Sequence, residues 1–145
     1  LMELESIANE LGSSVIAASI KIEQEISLLK EDEKLEYLEL LNMDEPVLNK
    51  IIFEGYKLLG LKTYFTAGPK EIRAWTIRDG FTAPNAAGVI HTDFERGFIK
   101  AEVIDFKDFI ACNGESGAKE KGKLRLEGKE YLVKDGDVIH FKFNV

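Results

Sequence analysis

The chain has 145 residues, 45% hydrophobic and 31% charged, with a net charge of -7 at pH 7, a globular composition that excludes a disordered or collagen-like polymer. One cysteine, Cys112, excludes a disulfide framework and fits a reducing compartment, and no apolar run approaches the roughly 20 residues of a membrane span, so the expected location is cytoplasmic. Residues 1–61 hold five Lys/Arg against 13 Asp/Glu, whereas residues 62–145 hold 14 against 13, so the second stretch is the one suited to face RNA.

The chain opens on Leu1-Met2-Glu3-Leu4-Glu5, acidic where a secretory signal is basic, and its start at Leu1 points to truncation. Met2, Leu4, Ile7, Ala8 and Leu11 recur at helical spacing, with Gly12 as the C-terminal cap. Val15 to Ala18 is an unbroken apolar run of the kind found in a strand buried on both faces. Helices are predicted over 21–30, 32–42 and 46–59, with Leu35, Leu38 and Leu41 on one face of the second and Val47, Ile51, Phe53 and Leu58 inward on the third.

Past Leu61 the pattern turns to β. Strands are predicted at 63–66 and 72–77 around an Ala67-Gly68-Pro69-Lys70 turn, then a short helix over 84–90 and a strand over 98–103. Asp105 caps a helix reaching Ala111, residues 124–127 and 131–133 suggest a second hairpin, and Asp135-Gly136-Asp137 turns into a last strand over 138–144. The order β, β, α, β, α, β, β implies an α+β fold, a small mixed sheet with helices on one face.

No constellation in the chain reads as catalytic. Gly117-Ala118-Lys119-Glu120-Lys121-Gly122-Lys123 has the glycine and lysine spacing of a phosphate-binding loop, but Leu124 stands where a hydroxyl must hold magnesium, which leaves a polar connection. His91, Asp93 and Cys112 lack support as a nucleophile, base and orienter set, and His91, His140 and Cys112 lack the ligand-pair spacing of a metal centre. Cys112 is expected to pack in the core, as are most of Trp75, Phe98, Tyr64 and Phe65, with Phe94 a candidate for exposure. Lys119, Lys121, Lys123 and Arg125 head the most basic stretch; Arg73, Arg78, Arg96 and Lys100 extend it if the fold brings them together. A solvated, salt-bridged surface is the plainer alternative.

Residues 63–145 resemble the TGS domain of the YchF/Obg-like P-loop ATPases. The segments that carry the resemblance are Thr63 to Gly68, Glu71 to Ile77, Ala83-Pro84 to Gly88, Ile90 to Ile99 and Val133 to Val138. Upstream, Val15 to Glu23 is similar to that family's last G-domain strand and its base-proximal loop, here Ser19, Ile20 and Lys21. The resemblance implies a partial G domain at 1–23, a helical connector at 24–61 and a β-grasp, ubiquitin-like TGS domain at 62–145. It further implies a regulatory, ribosome- or RNA-docking portion without cofactor of its own. ATP or GTP and Mg would belong to a full-length parent, whose G domain would be an internal partner; neither DNA nor membrane is expected. A self-sufficient module binding a small nucleotide or a protein remains the alternative.

Overall fold

The computed structural model describes residues 2–68 and 71–144, and the chain divides into two compact units, Leu1–Leu59 and Gly60–Val145. The first is helical: α1 Met2–Glu10, α2 Ile20–Leu28, α3 Glu31–Leu40 and α4 Val47–Leu58. Each start has a chemical reason. Ser19 caps α2 by accepting from the Ile22 amide at 3.4 Å, and Glu33 reaches back to the Lys30 amide at 3.0 Å to open α3. Helix α4 begins after Pro46, which offers no side-chain cap; the Glu23 carboxylate of α2 substitutes, accepting from the Val47 and Leu48 amides at 2.8 and 3.2 Å. Among the described residues of the unit the buried apolar side chains are Ile26 and Leu38, and the Tyr37 hydroxyl donates to Glu25.

Two expectations change here. Residues 13–19 form no strand, because a strand exists only through a ladder and no described segment pairs with them. On α4, Ile51, Phe53 and Leu58 are exposed rather than inward, together with Leu48 and Ile52. Periodicity marks an apolar face without saying what covers it.

The second unit is a five-stranded mixed sheet in the order β2-β1-β5-β3-β4, where β1 is Leu61–Ala67, β2 Ile72–Arg78, β3 Phe98–Asp105, β4 Arg125–Glu127 and β5 Asp137–Phe143. Strands β1 and β2 form an antiparallel hairpin from Leu61↔Arg78 to Ala67↔Ile72, β1 runs parallel to β5, and β3 is antiparallel to both β5 and β4. This is the β-grasp arrangement. Helix α5, Ala83–Ile90, lies across one face, and its Ala83, Ala86 and Ala87 are wholly buried. Such small side chains let a helix approach the sheet closely, near enough for the buried Tyr64 hydroxyl to donate to the Ala86 carbonyl at 2.8 Å. Around it pack Ile77, Phe98, Ala101, Val103, Val133, Ile139 and Phe141.

A second, smaller cluster of Ile104, Cys112 and Ala118 sits under α7 (Phe106–Ala111) and α8 (Glu115–Glu120). As expected, Asp105 caps α7, its carboxylate accepting from the Lys107 amide at 2.9 Å, and Cys112 is buried. The predicted pairing of 124–127 with 131–133 does not form. Strand β4 pairs with β3 instead, and Leu132 makes an isolated bridge to Thr82. Both segments are too short to close a hairpin by themselves, so the longer neighbour decides. The Asp135-Gly136 turn docks on β1: Asp135 Oδ1 accepts from the Thr63 amide at 2.7 Å, and the Gly136 amide donates back to the Thr63 carbonyl at 2.8 Å. Gly136 holds φ at +82°, a conformation that favours glycine.

Candidate functional site

The parallel strands β1 and β5 meet at a single register, Phe65↔Val138, among the described residues. A cleft of about 670 Å³ is lined by Thr66, Ala67 and Gly68 on one side and by Ile139, His140, Phe141 and Phe143 of β5 on the other. Its apolar lining includes Trp75, Phe94, Phe141 and Phe143, and its polar lining includes Arg73, Glu115 and His140. The Trp75 indole N–H donates to Thr66 Oγ1 at 2.9 Å, which fixes the ring, and the Arg73 guanidinium lies 5.0 Å from the ring centroid. Phe94 stacks on Phe143 at 3.8 Å between centroids, so it is half-buried rather than a free stacking platform.

Residues 92–96 form a short helix α6 (Thr92–Arg96), because His91 Nδ1 accepts from the Asp93 amide at 3.2 Å and caps it. Asp93 then pairs with Arg96 at 2.7 Å. His91 and Asp93 are thereby occupied in local structure, and Cys112 belongs to the separate cluster with Ile104 and Ala118.

The glycine-lysine stretch does not fit a triphosphate. Residues 115–120 are helical, so their amides are not arrayed as a phosphate cradle, and a Cβ on Gly117 would stand 1.9 Å from the Cys112 carbonyl oxygen. That glycine serves a close helix contact.

The eight basic candidates divide by partner. Arg73 bonds Glu71 at 3.1 Å, Arg96 bonds Asp93 at 2.7 Å and Lys123 bonds Asp108 at 3.3 Å. Arg125 is drawn furthest into the fold: it reaches Glu127 at 3.2 Å, donates to the Tyr131 hydroxyl at 3.1 Å and lies 3.5 Å from the buried Asp137. Burial and the hydrogen bond to Asp137 push the Tyr131 phenol above its ordinary pKa. The side chains of Arg78, Lys100, Lys119 and Lys121 make no hydrogen bond or ion pair among the described residues. Nor do the eight form one surface. Arg73 and Arg78 lie on the edge strand β2 and Arg125 on the opposite edge β4, about 19 Å away across four strand spacings. At the front of the chain, Ser19 is the α2 cap described above, and Ile20 and Lys21 are exposed in its first turn.

One grouping escaped the sequence. Glu102 on β3, Glu115 on α8 and His140 on β5 each bring a potential ligand atom within 4.8 Å of the others. Their separations in sequence carry no motif; the β3/β5 register, which sets Glu102 opposite His140, creates the grouping.

The sheet unit is thus a β-grasp with an aromatic cleft and dispersed basic residues, and the helical unit carries several exposed apolar side chains. Residues 61–144 match the family YchF-GTPase_C, described as a protein of unknown function (DUF933), and the chain belongs to that family. The chain is 59% identical over all its 145 residues to proteins named Ribosome-binding ATPase YchF from Pasteurella multocida and Haemophilus influenzae. With the Bacillus subtilis protein of that name it shares 56% identity over 134 residues, 92% of this chain and 37% of that protein. It spans about 40% of the length of the first two relatives. The solved Schizosaccharomyces pombe YchF GTPase superposes with a TM-score of 0.77 at 41% identity, covering 90% of this chain and 34% of that one. A GTP-binding protein from Pyrococcus horikoshii, at 17% identity and a TM-score of 0.65, shares the fold, with 99% of this chain and 41% of that one covered.

Proposed function

We propose that this chain is the C-terminal portion of a cytoplasmic ribosome-binding ATPase, a TGS-type docking and regulatory module that hydrolyses no nucleotide itself. One observation carries the reading: proteins named ribosome-binding ATPases align with the chain from first residue to last at 59% identity, yet extend well beyond it. In this reading ATP or GTP and Mg²⁺ bind elsewhere in the parent, whose G domain covers the exposed apolar face of α4, Leu48, Ile51, Ile52 and Leu58. Residues 15–18 add a strand to that domain's sheet, with Ser19, Ile20 and Lys21 close to the nucleotide base.

Cations already paired within the fold have less charge to offer a phosphate. Arg78, Lys100, Lys119 and Lys121 therefore carry the ribosomal RNA contact, ahead of Arg73, Arg96, Lys123 and Arg125. Ribosome cosedimentation as a function of salt tests this. The expected result is binding that weakens with salt and a Lys119→Gln/Lys121→Gln variant whose log–log salt slope is shallower by about 1.5. Salt-insensitive binding, or saturable ATP hydrolysis by this chain, refutes the reading. The cleft beside Trp75 favours the second reading, a module for a small nucleotide or a protein partner, which predicts partner binding lost on Trp75→Ala and unchanged by the lysine substitutions.

A further inference from the structure

The grouping of Glu102, Glu115 and His140 has the composition of a transition-metal site. It mixes one imidazole with two carboxylates, the donor set of zinc-class dications rather than the all-oxygen shell of calcium or magnesium. The three side chains come from three elements, and two of them face each other in a regular ladder whose register leaves little freedom. His140 Nδ1 stands 3.9 Å from Glu102 Oε2. Ligands on one tetrahedral zinc, at bond lengths of about 2.0–2.2 Å, stand roughly 3.3–3.5 Å apart, so side-chain rotation alone closes the gap.

A second observation is that a cation already occupies the spot. The Lys142 ammonium sits 3.2 Å from Glu102 Oε2 and 3.4 and 3.5 Å from the two ring nitrogens of His140. The Glu115 carboxylate, converging on the same point, has no hydrogen bond or ion pair among the described residues. Glu102 and His140 thus share one monovalent cation, and Glu115, with a carboxylate oxygen within 4.8 Å of both, has none. A divalent one satisfies them better and frees a lysine that is already partly exposed. The third observation is a cavity: all three side chains line one small hollow with Ala67, Ile104 and Phe109, and two of them, Glu115 and His140, also line the aromatic cleft. Three protein ligands leave a fourth position open, and here it opens toward the cleft.

We propose that Glu102, Glu115 and His140 bind a zinc-class divalent transition metal in place of the Lys142 ammonium, with one coordination position left for a ligand in the cleft. This goes beyond ribosome docking and stands or falls separately from it.

The test is calorimetric titration of the metal-free full chain with Zn²⁺, with Co²⁺ absorption as the probe of ligand geometry. The expected result is one site per chain with micromolar affinity, weakened roughly tenfold or more by His140→Ala or Glu115→Gln and tightened by Lys142→Gln, which removes the competing ammonium. His91→Ala, at the other exposed histidine, leaves it unchanged. Zinc also raises the thermal midpoint of the parent chain and not of His140→Ala, a readout that confirms both are folded. Absence of saturable binding below about 1 mM, binding that survives His140→Ala, or a Lys142→Gln variant that binds no more tightly each overturns the proposal; 1 mM corresponds to about -4 kcal/mol, too weak for a built site.

Discussion

Replacing Asp137 by alanine is expected to be among the most damaging single polar substitutions in the sheet unit. Asp137 is 2% exposed, and its Oδ2 accepts from the Tyr131 hydroxyl at 2.7 Å and the Lys134 amide at 2.9 Å, while Arg125 stands 3.5 Å from Oδ1. In Asp137→Ala the hydroxyl and the amide lose their acceptor in a partly buried setting, at a cost of about 1–3 kcal/mol each, so the total is about 3 kcal/mol. In a unit of this size each kcal/mol lowers the thermal midpoint by about 4–8 °C, so the drop is roughly 12–24 °C. Arg125→Met separates the hydrogen-bond account from an ion-pair account. The Arg125 side chain is 41% exposed and keeps Asp137 at the edge of contact, so its loss costs about 1 kcal/mol or less. Thermal melts followed by circular dichroism and checked by urea titration give both values. An Asp137→Ala midpoint within about 4 °C of the parent, or an Arg125→Met cost equal to that of Asp137→Ala, refutes the reasoning.

Gly117→Ala places a Cβ 1.9 Å from the Cys112 carbonyl oxygen, a backbone atom that cannot swing away; a loss of about 2–3 kcal/mol is expected by denaturant titration, and a neutral substitution contradicts the α7–α8 packing. Tyr64 and Tyr131 both have pKa values raised above 10.0, Tyr64 by burial and Tyr131 by burial and its bond to Asp137. The folded state therefore holds their protons where the unfolded state has released them. Their contribution is complete below pH 10 and declines above it, so a Tyr64→Phe/Tyr131→Phe variant, although less stable at pH 7, shows a shallower alkaline decline in urea midpoint. An equal decline in both proteins rules out the assignment. The ribosome salt series and the zinc titration described above complete the set.

Much of the fold was legible from local chemistry. The β1/β2 hairpin has strongly β-forming strands on both sides of its turn, α2, α3 and α4 are long enough for their period to show, and Asp105 before Phe106-Lys107-Asp108 is a capping signal that needs no tertiary help. The misreadings share a cause. Helices α6 and α8 have only five and six residues, too few for a period to show, and are held by His91 capping and by the Gly117–Cys112 contact, and β4 pairs by proximity to β3 rather than through a turn of its own. The individual candidate cations could be picked out in sequence, but which of them are spent inside the fold, as Arg125 is, depends on neighbours 6 to 12 positions away.

What the sequence determined by itself is the alternation of helix and strand, the hairpin, the caps and the family resemblance, because these rest on residues adjacent or a few places apart. The tertiary structure alone decided the strand order, the cleft lined from β1 and β5, and the meeting of Glu102, Glu115 and His140. Those features depend on which distant segments share a ladder and in what register, and a one-residue slip would turn every one of these side chains to the other face.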